Sequence, residues 1–190
     1  MATVTSAGAM DFLGSVTNSG NATLSLSFNY TNSAVTNYRM IIVEASLKGT
    51  YTSATYGYIG FGFNNQLSQA YHGGQWSYMY NGQSYNSSNW AHIGYGITSS
   101  SSNDPSAYTN VTMYIPTPAT ADNNNGNIRA TWHYHSAYSD PLTNQFSGHG
   151  VILSGQTSAQ LNSIQFMDWY TTNLAVGSKA TAWGLRKANV

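Results

Sequence analysis

Ala22-Thr23-Leu24-Ser25-Leu26-Ser27-Phe28 alternates apolar and small polar residues one by one. Successive side chains of a strand point to opposite faces. This stretch therefore places Leu24, Leu26 and Phe28 on one side and Thr23, Ser25 and Ser27 on the other. The same period of two recurs along the chain. Residues 38–48 hold the run Met40-Ile41-Ile42-Val43, which predicts a strand covered on both faces near the middle of a sheet. Residues 55–64 send Ile59, Phe61 and Phe63 to one side. Gly60 and Gly62 lie opposite, where another group is expected to pack closely on the backbone. Residues 75–80 alternate Trp76, Tyr78 and Tyr80 and then meet Asn81-Gly82, a strong hairpin signal.

Further strands are predicted over 90–98, with Ala91, Ile93, Tyr95 and Ile97 inward, and over 110–116, with Val111, Met113 and Ile115. Residues 127–137 carry Ile128, Ala130, Trp132 and Tyr134 on one face, and 149–155, 160–168 and 178–187 complete about ten strands. No stretch reads as a helix. The pattern predicts an all-β fold, a β-sandwich, with a jelly roll as the expected architecture.

Composition agrees. Ser, Thr and Asn number 25, 20 and 20 among 190 residues, and there are 18 Gly and 15 Tyr. Thr and Tyr favour strands, while Gly and Asn favour turns. Charged residues make up only 6% of the chain and cancel to zero, against about 25% in an ordinary soluble domain. A nucleic-acid partner would require clustered Lys and Arg, so it is excluded as the main role. With 41% hydrophobic and 14% aromatic residues, the chain has the material for a core and is not a charge-expanded disordered segment. Cysteine is absent, which removes disulfides and thiolate chemistry. No run approaches the roughly 20 apolar residues of a membrane-spanning helix, so no membrane partner is expected. Residues 1–20, rich in Gly, Ala and Ser, are expected to form an N-terminal arm or flexible segment, and 21–190 a single domain. The rare charges are expected mainly in loops and near strand ends: Lys48, Asp104, Asp122, Asp140, Asp168, Arg186 and Lys187. The faces left between them would make broad contacts with little salt dependence and no buried-charge penalty.

Residue types able to carry chemistry are few. The carboxylates Asp11, Glu44, Asp104, Asp122, Asp140 and Asp168 form no pair motif of the kind glycoside hydrolysis needs. No nucleophile elbow or phosphate-cradling loop occurs. The expectation is a protein without catalytic residues, cofactor or metal. His133 and His135 share a strand face and are the secondary metal candidates, with His72, His92 or His149 as a third ligand. With Trp132 and Tyr134 facing inward, the two histidines face outward or into a subunit contact. Trp76, Tyr78, Tyr80, Tyr85 and Trp90 gather around the predicted hairpin. They could form a sugar-stacking face, pack in the core, or serve a protein interface. These five and the two histidines are the candidate binding residues.

Leu161-Asn162-Ser163-Ile164-Gln165-Phe166 is followed by Asn173-Leu174-Ala175-Val176-Gly177-Ser178 and then Ala182-Trp183-Gly184-Leu185-Arg186-Lys187. This ending resembles a pattern in tailed-phage virion proteins, in which an "I-x-S-I" strand precedes "N-F-x-x-G-S" and a last strand closes on "L-Y-G-I-K". Tyr114-Ile115-Pro116 is similar to that family's "Y-I-P" strand end, and residues 38–42 stand where the family has "Y-x-D-L-x-L". Trp183 replaces the usual Tyr, Leu174 the usual Phe, and Arg39 falls near a frequent acid. The resemblance implies a small β-sandwich on the virion exterior, assembled in the host bacterial cytoplasm. The role it implies is a capsid decoration (cement) protein, a homotrimer bound to the major capsid protein of the shell. The alternative expectation is a receptor-binding or carbohydrate-binding module of a head or tail fibre, with a host surface glycan as partner.

Overall fold

The computed structural model describes residues 10–20, 22–27, 38–54, 56–63, 72–80, 83–88, 92–100, 106–116, 129–137, 145–154, 161 and 163–187. Its strands are, in chain order, β1 (Met10–Thr17), β2 (Leu24–Ser27), β3 (Tyr38–Leu47), β4 (Tyr56–Phe63), β5 (His72–Tyr80) and β6 (Gln83–Ser88). They continue as β7 (His92–Ile97), β8 (Thr109–Pro116), β9 (Arg129–Ala137), β10 (Gln145–Ser154), β11 (Ser163–Asp168) and β12 (Lys179–Arg186). The described residues contain no helix, and the fold is an all-β sandwich of two antiparallel sheets. One sheet has eight strands in the order β1-β12-β3-β8-β9-β10-β5-β6, and the other has four in the order β2-β11-β4-β7. The hairpins β5–β6 and β8–β9–β10 stay within the larger sheet. Every other connection crosses from one layer to the other.

Alternation decides which side chains fill the space between layers. From the larger sheet come Ile41, Val43 and Leu47 of β3, Met113 and Ile115 of β8, and Ala130, Trp132 and Tyr134 of β9. From the smaller sheet come Leu24, Leu26, Ile59, Phe61, Phe63, Ile93, Ile97, Ile164 and Phe166. Phe61 meets Trp132 across the layers, edge to face, at 5.1 Å between ring centres. Each such large side chain contributes about 1.5–3 kcal/mol through burial.

The free edge of the smaller sheet at β7 is closed by polar side chains from the larger one. Trp132 Nε1 donates to the Ile93 carbonyl at 2.9 Å, Ser136 Oγ donates to the Tyr95 carbonyl at 3.0 Å, and Ile97 N donates to Thr109 Oγ1 at 2.8 Å. An edge strand with unpaired backbone groups invites foreign pairing. Here the two layers occupy those groups themselves.

Several sequence expectations are met. Leu24 and Leu26 are buried, while Phe28 lies outside the described residues. A Cβ placed on Gly60 would stand 3.1 Å from Trp169, which is the close packing expected opposite Ile59 and Phe61. Tyr80 pairs with Gln83 across the predicted hairpin.

Others are corrected. β3 is central, but only one face is covered: Ile41 and Val43 are buried, Met40 and Ile42 are half-buried, and Glu44 is exposed. Residues 10–17 of the expected arm form β1, the edge strand of the larger sheet. β1 and β6 are absent from the ten strands read from the sequence. β1 lacks clean alternation because its register shifts between Phe12 and Gly14, and β6 (QSYNSS) has almost no apolar residue to alternate. Lys48 and Asp168 stand at strand ends as expected, just after β3 and at the end of β11, and both are buried.

Candidate functional site

β3 ends at Leu47, and the chain turns through Lys48-Gly49-Thr50-Tyr51 toward β4. β11 ends at Asp168 and turns through Trp169-Tyr170-Thr171-Thr172. Asp168 ties these turns together. Its carboxylate is 1% exposed and accepts from two backbone amides, Tyr51 N through Oδ2 and Tyr170 N through Oδ1, each at 2.9 Å. Thr172 N donates to the Asp168 carbonyl at 2.8 Å, closing the turn. Thr50 Oγ1 lies 2.6 Å from Thr171 Oγ1. A buried carboxylate is tolerated when hydrogen-bond donors replace its hydration. Here those donors belong to two aromatic residues, and their rings stack with centres 4.7 Å apart.

Tyr58 and Tyr95 are direct cross-strand partners on β4 and β7. Their rings stack at 4.4 Å and their hydroxyl oxygens are 2.5 Å apart. Tyr56 meets Tyr95 edge to face at 5.4 Å, and Tyr58 lies 6.0 Å from Tyr170. The result is a cleft of about 580 Å³ lined by Tyr51, Ser53, Ala54, Tyr56, Gly57, Tyr58, Tyr95, Ser100 and Tyr170. The lining contains no Lys, Arg, His, Asp or Glu. Burial, then the neighbouring Tyr58 and Tyr51, push the Tyr170 phenol above its ordinary value and keep it neutral. His92 backs the cleft, stacked on Tyr58 at 4.7 Å and edge-on to Trp169 at 4.4 Å. Burial pushes its imidazole down to about 4, so it is neutral at pH 7.

This arrangement offers aromatic faces, hydroxyls and no charge. Both Asp168 oxygens are held by backbone N–H groups, so its role is to position the tyrosines. Lys48 is also structural: its backbone N donates to Ser178 Oγ at 3.1 Å, and its Nζ lies 5.5 Å from the centre of the Tyr108 ring.

Of the candidate binding residues read from the sequence, the two described histidines lie elsewhere. Trp76, Tyr78 and Tyr80 belong to β5 and Tyr85 to β6, with Tyr78 directly opposite Tyr85 in register. The side chains of these four, and all of Trp90, lie outside what the structure describes, as do Asp104, Asp122 and Asp140. His133 and His135 are exposed on the outer face of β9, as the inward position of Trp132 requires. His149 of β10 pairs with His133 in register, with ring centres 6.3 Å apart. His92 lies on the other sheet. Among the described residues, no group of three or more His, Cys, Asp or Glu could hold a metal ion.

Sequence reasoning missed the tyrosine cleft. Tyr95 was assigned inward by simple alternation, but the register shifts where β7 meets Ile59 and Gly60. The extra residue is Ile93, which stays in the core, while Tyr95 beyond the shift pairs with Tyr58 and reaches the cleft. One signal was present: Tyr56 and Tyr58 fall on the strand face opposite Ile59, Phe61 and Phe63. Compared with protein-family models, with curated proteins and with solved structures, the chain matches none of them.

Proposed function

We propose that this chain is a non-enzymatic structural protein of a tailed-phage virion, a decoration protein that binds the outside of the capsid shell. One observation carries the reading. The outer face of the larger sheet, where β1, β12 and β3 run side by side, gathers Met10, Phe12, Trp183, Leu185, Met40 and Ile42. Register makes Trp183 the neighbour of both Phe12 and Ile42, and makes Leu185 the neighbour of both Met10 and Met40. Phe12 is 60% exposed and Met10 49% exposed. Contiguous exposed apolar area of this kind marks an interaction surface in soluble proteins. Glu44 and Lys179 lie further along the strands, and the Asp11–Arg186 ion pair at 2.7 Å neutralises the adjoining rim.

Two further points support the assignment. The order β1-β12-β3-β8 over β2-β11-β4-β7, with the chain passing between layers, supports reading the sandwich as a jelly roll extended by β9, β10, β5 and β6. The sequence resemblance to virion exterior proteins falls on β11, the Leu174 turn and β12. Leu174 is fully buried and bridges Ala22 and Gly49, so that stretch joins the two layers. The partner is the major capsid protein, and the assembly is a homotrimer.

Adding the protein to capsids stripped of it should restore their melting temperature and their resistance to dilution. Phe12→Ser should weaken capsid binding at least about tenfold, as loss of an apolar anchor does. Equal binding by the variant, or no change in the capsid, would refute the reading.

A further inference from the structure

The tyrosine cleft lies on the smaller sheet and plays no part in docking through the larger one. We propose that it is a binding site for neutral carbohydrate, holding a hexose unit of an uncharged polysaccharide against the Tyr51–Tyr170 ring pair. The inference is independent of the capsid reading.

The first argument is construction. Tyr170 is 53% exposed, so burial alone does not fix its ring. Its backbone and that of Tyr51 are nonetheless held by one fully buried carboxylate, and the two rings stack at 4.7 Å. Fixing exposed aromatic rings before a ligand arrives lowers the ordering cost of binding.

The second argument is charge. The cleft is lined by five tyrosines with Ser53, Ser100, Ala54 and Gly57. A phosphate-bearing or acidic ligand would require Lys or Arg in the lining, as single-stranded nucleic acid does. A cationic ligand would require a carboxylate facing it, and Asp168 is turned to its amides. A neutral ligand remains. Its polar groups must meet hydroxyls, and its apolar faces must meet rings. A hexose has both, with a face of C–H groups to lie on a tyrosine and a rim of hydroxyls.

The third argument is shape. The cleft volume of about 580 Å³ is in the usual range for small-ligand sites, roughly 300–1,000 Å³. It is open to solvent along Tyr170, which suits an internal unit of a chain continuing on both sides.

The test uses the full chain and purified dextran, mannan and galactan. Alginate serves as an acidic polysaccharide and a proline-rich peptide as a rival occupant of tyrosine-lined grooves. Isothermal titration and tyrosine fluorescence should show saturable binding of at least one neutral polysaccharide, with a Kd of about 1 mM or tighter per site. Tyr170→Ala should weaken it at least about tenfold, the effect of removing a stacking ring, while Tyr170→Phe retains it. Thermal melting would establish that the variants are folded. No binding by any neutral polysaccharide overturns the proposal. So does binding that is unchanged in Tyr170→Ala, preference for alginate, or preference for the peptide. Tyr170→Ala should bind capsids normally and Phe12→Ser should bind polysaccharide normally, so failure of either reading shows without the other.

Discussion

Gly49 leaves the space that Asp168 occupies. A Cβ added at position 49 would stand 2.3 Å from the Asp168 Oδ2 atom, which is the atom that accepts from Tyr51 N. Gly49 also donates its own N–H to the Ile97 carbonyl at 2.8 Å, so its backbone cannot simply withdraw. Gly49→Ala should therefore displace the carboxylate and destabilise the fold by about 2–3 kcal/mol, the usual effect of overpacking. Chemical denaturation measures it, and wild-type stability would contradict the geometry.

Asp168→Asn preserves shape but turns one acceptor oxygen into a donor facing an N–H group. One of the two tyrosine amides then loses its partner in a buried setting, at a cost of about 1–3 kcal/mol. The near-ultraviolet circular dichroism of the tyrosines should weaken with it, since the Tyr51–Tyr170 stack loses its anchor.

His92 makes stability depend on pH. Its folded-state value, pushed down by burial to about 4, lies below the unfolded value near 6.5. Between these limits the unfolded chain binds the extra proton. Stability is therefore complete above about pH 6.5 and falls as the pH drops toward about 4, by about 3 kcal/mol in total. Asp11 acts at lower pH, because its hydrogen bonds from Arg186 and Tyr38 hold it below the ordinary carboxylate value. Urea denaturation at a series of pH values should show the His92 slope, and His92→Phe should flatten it. An unchanged slope in the variant would place the effect elsewhere.

Trp132→Phe tests the seal along β7. The replacement keeps a ring against Phe61 but removes the Nε1 donor, leaving the buried Ile93 carbonyl without it. A loss of about 2–4 kcal/mol is expected from the cavity and the lost bond together. Hydrogen exchange should rise along β7 more than along β3.

Thr172 has a φ of 63°, a left-handed conformation that β-branched residues avoid. Thr172→Gly should stabilise the protein by about 0.5–1 kcal/mol, the relieved strain slightly exceeding the added freedom of the unfolded chain. A lower melting temperature would mean that the threonine side chain matters more than its backbone.

The layers of the fold were legible because burial on one face writes itself as alternation. Leu24 and Leu26, Ile59 with Phe61 and Phe63, and Trp132 with Tyr134 all declared their faces, and the outward direction of His133 and His135 followed. The cleft was not legible, for a different reason. Tyr51, Tyr58, Tyr95 and Tyr170 come from four separate segments and meet only through strand order and two turns. Asp168 reads in sequence as one more acid near a strand end. What makes it internal is a glycine far away at position 49 and two amides, and neither leaves a mark in the local pattern. The bulge that reassigns Tyr95 is equally silent.

β12 lies between β1 and β3, although among the described strands it is the last and they are the first and third. During synthesis, β1 must wait without β12, its partner among the described strands, until residues 179–186 leave the ribosome. Local hairpins can form early, but the layered core cannot close strand by strand from the beginning of the chain. A nascent chain interrupted before β12 would leave β1 unpaired and one edge of β3 open. Such fragments should be rapidly degraded or aggregate, so the order of strands in the sheet makes the whole sandwich depend on residues 179–186.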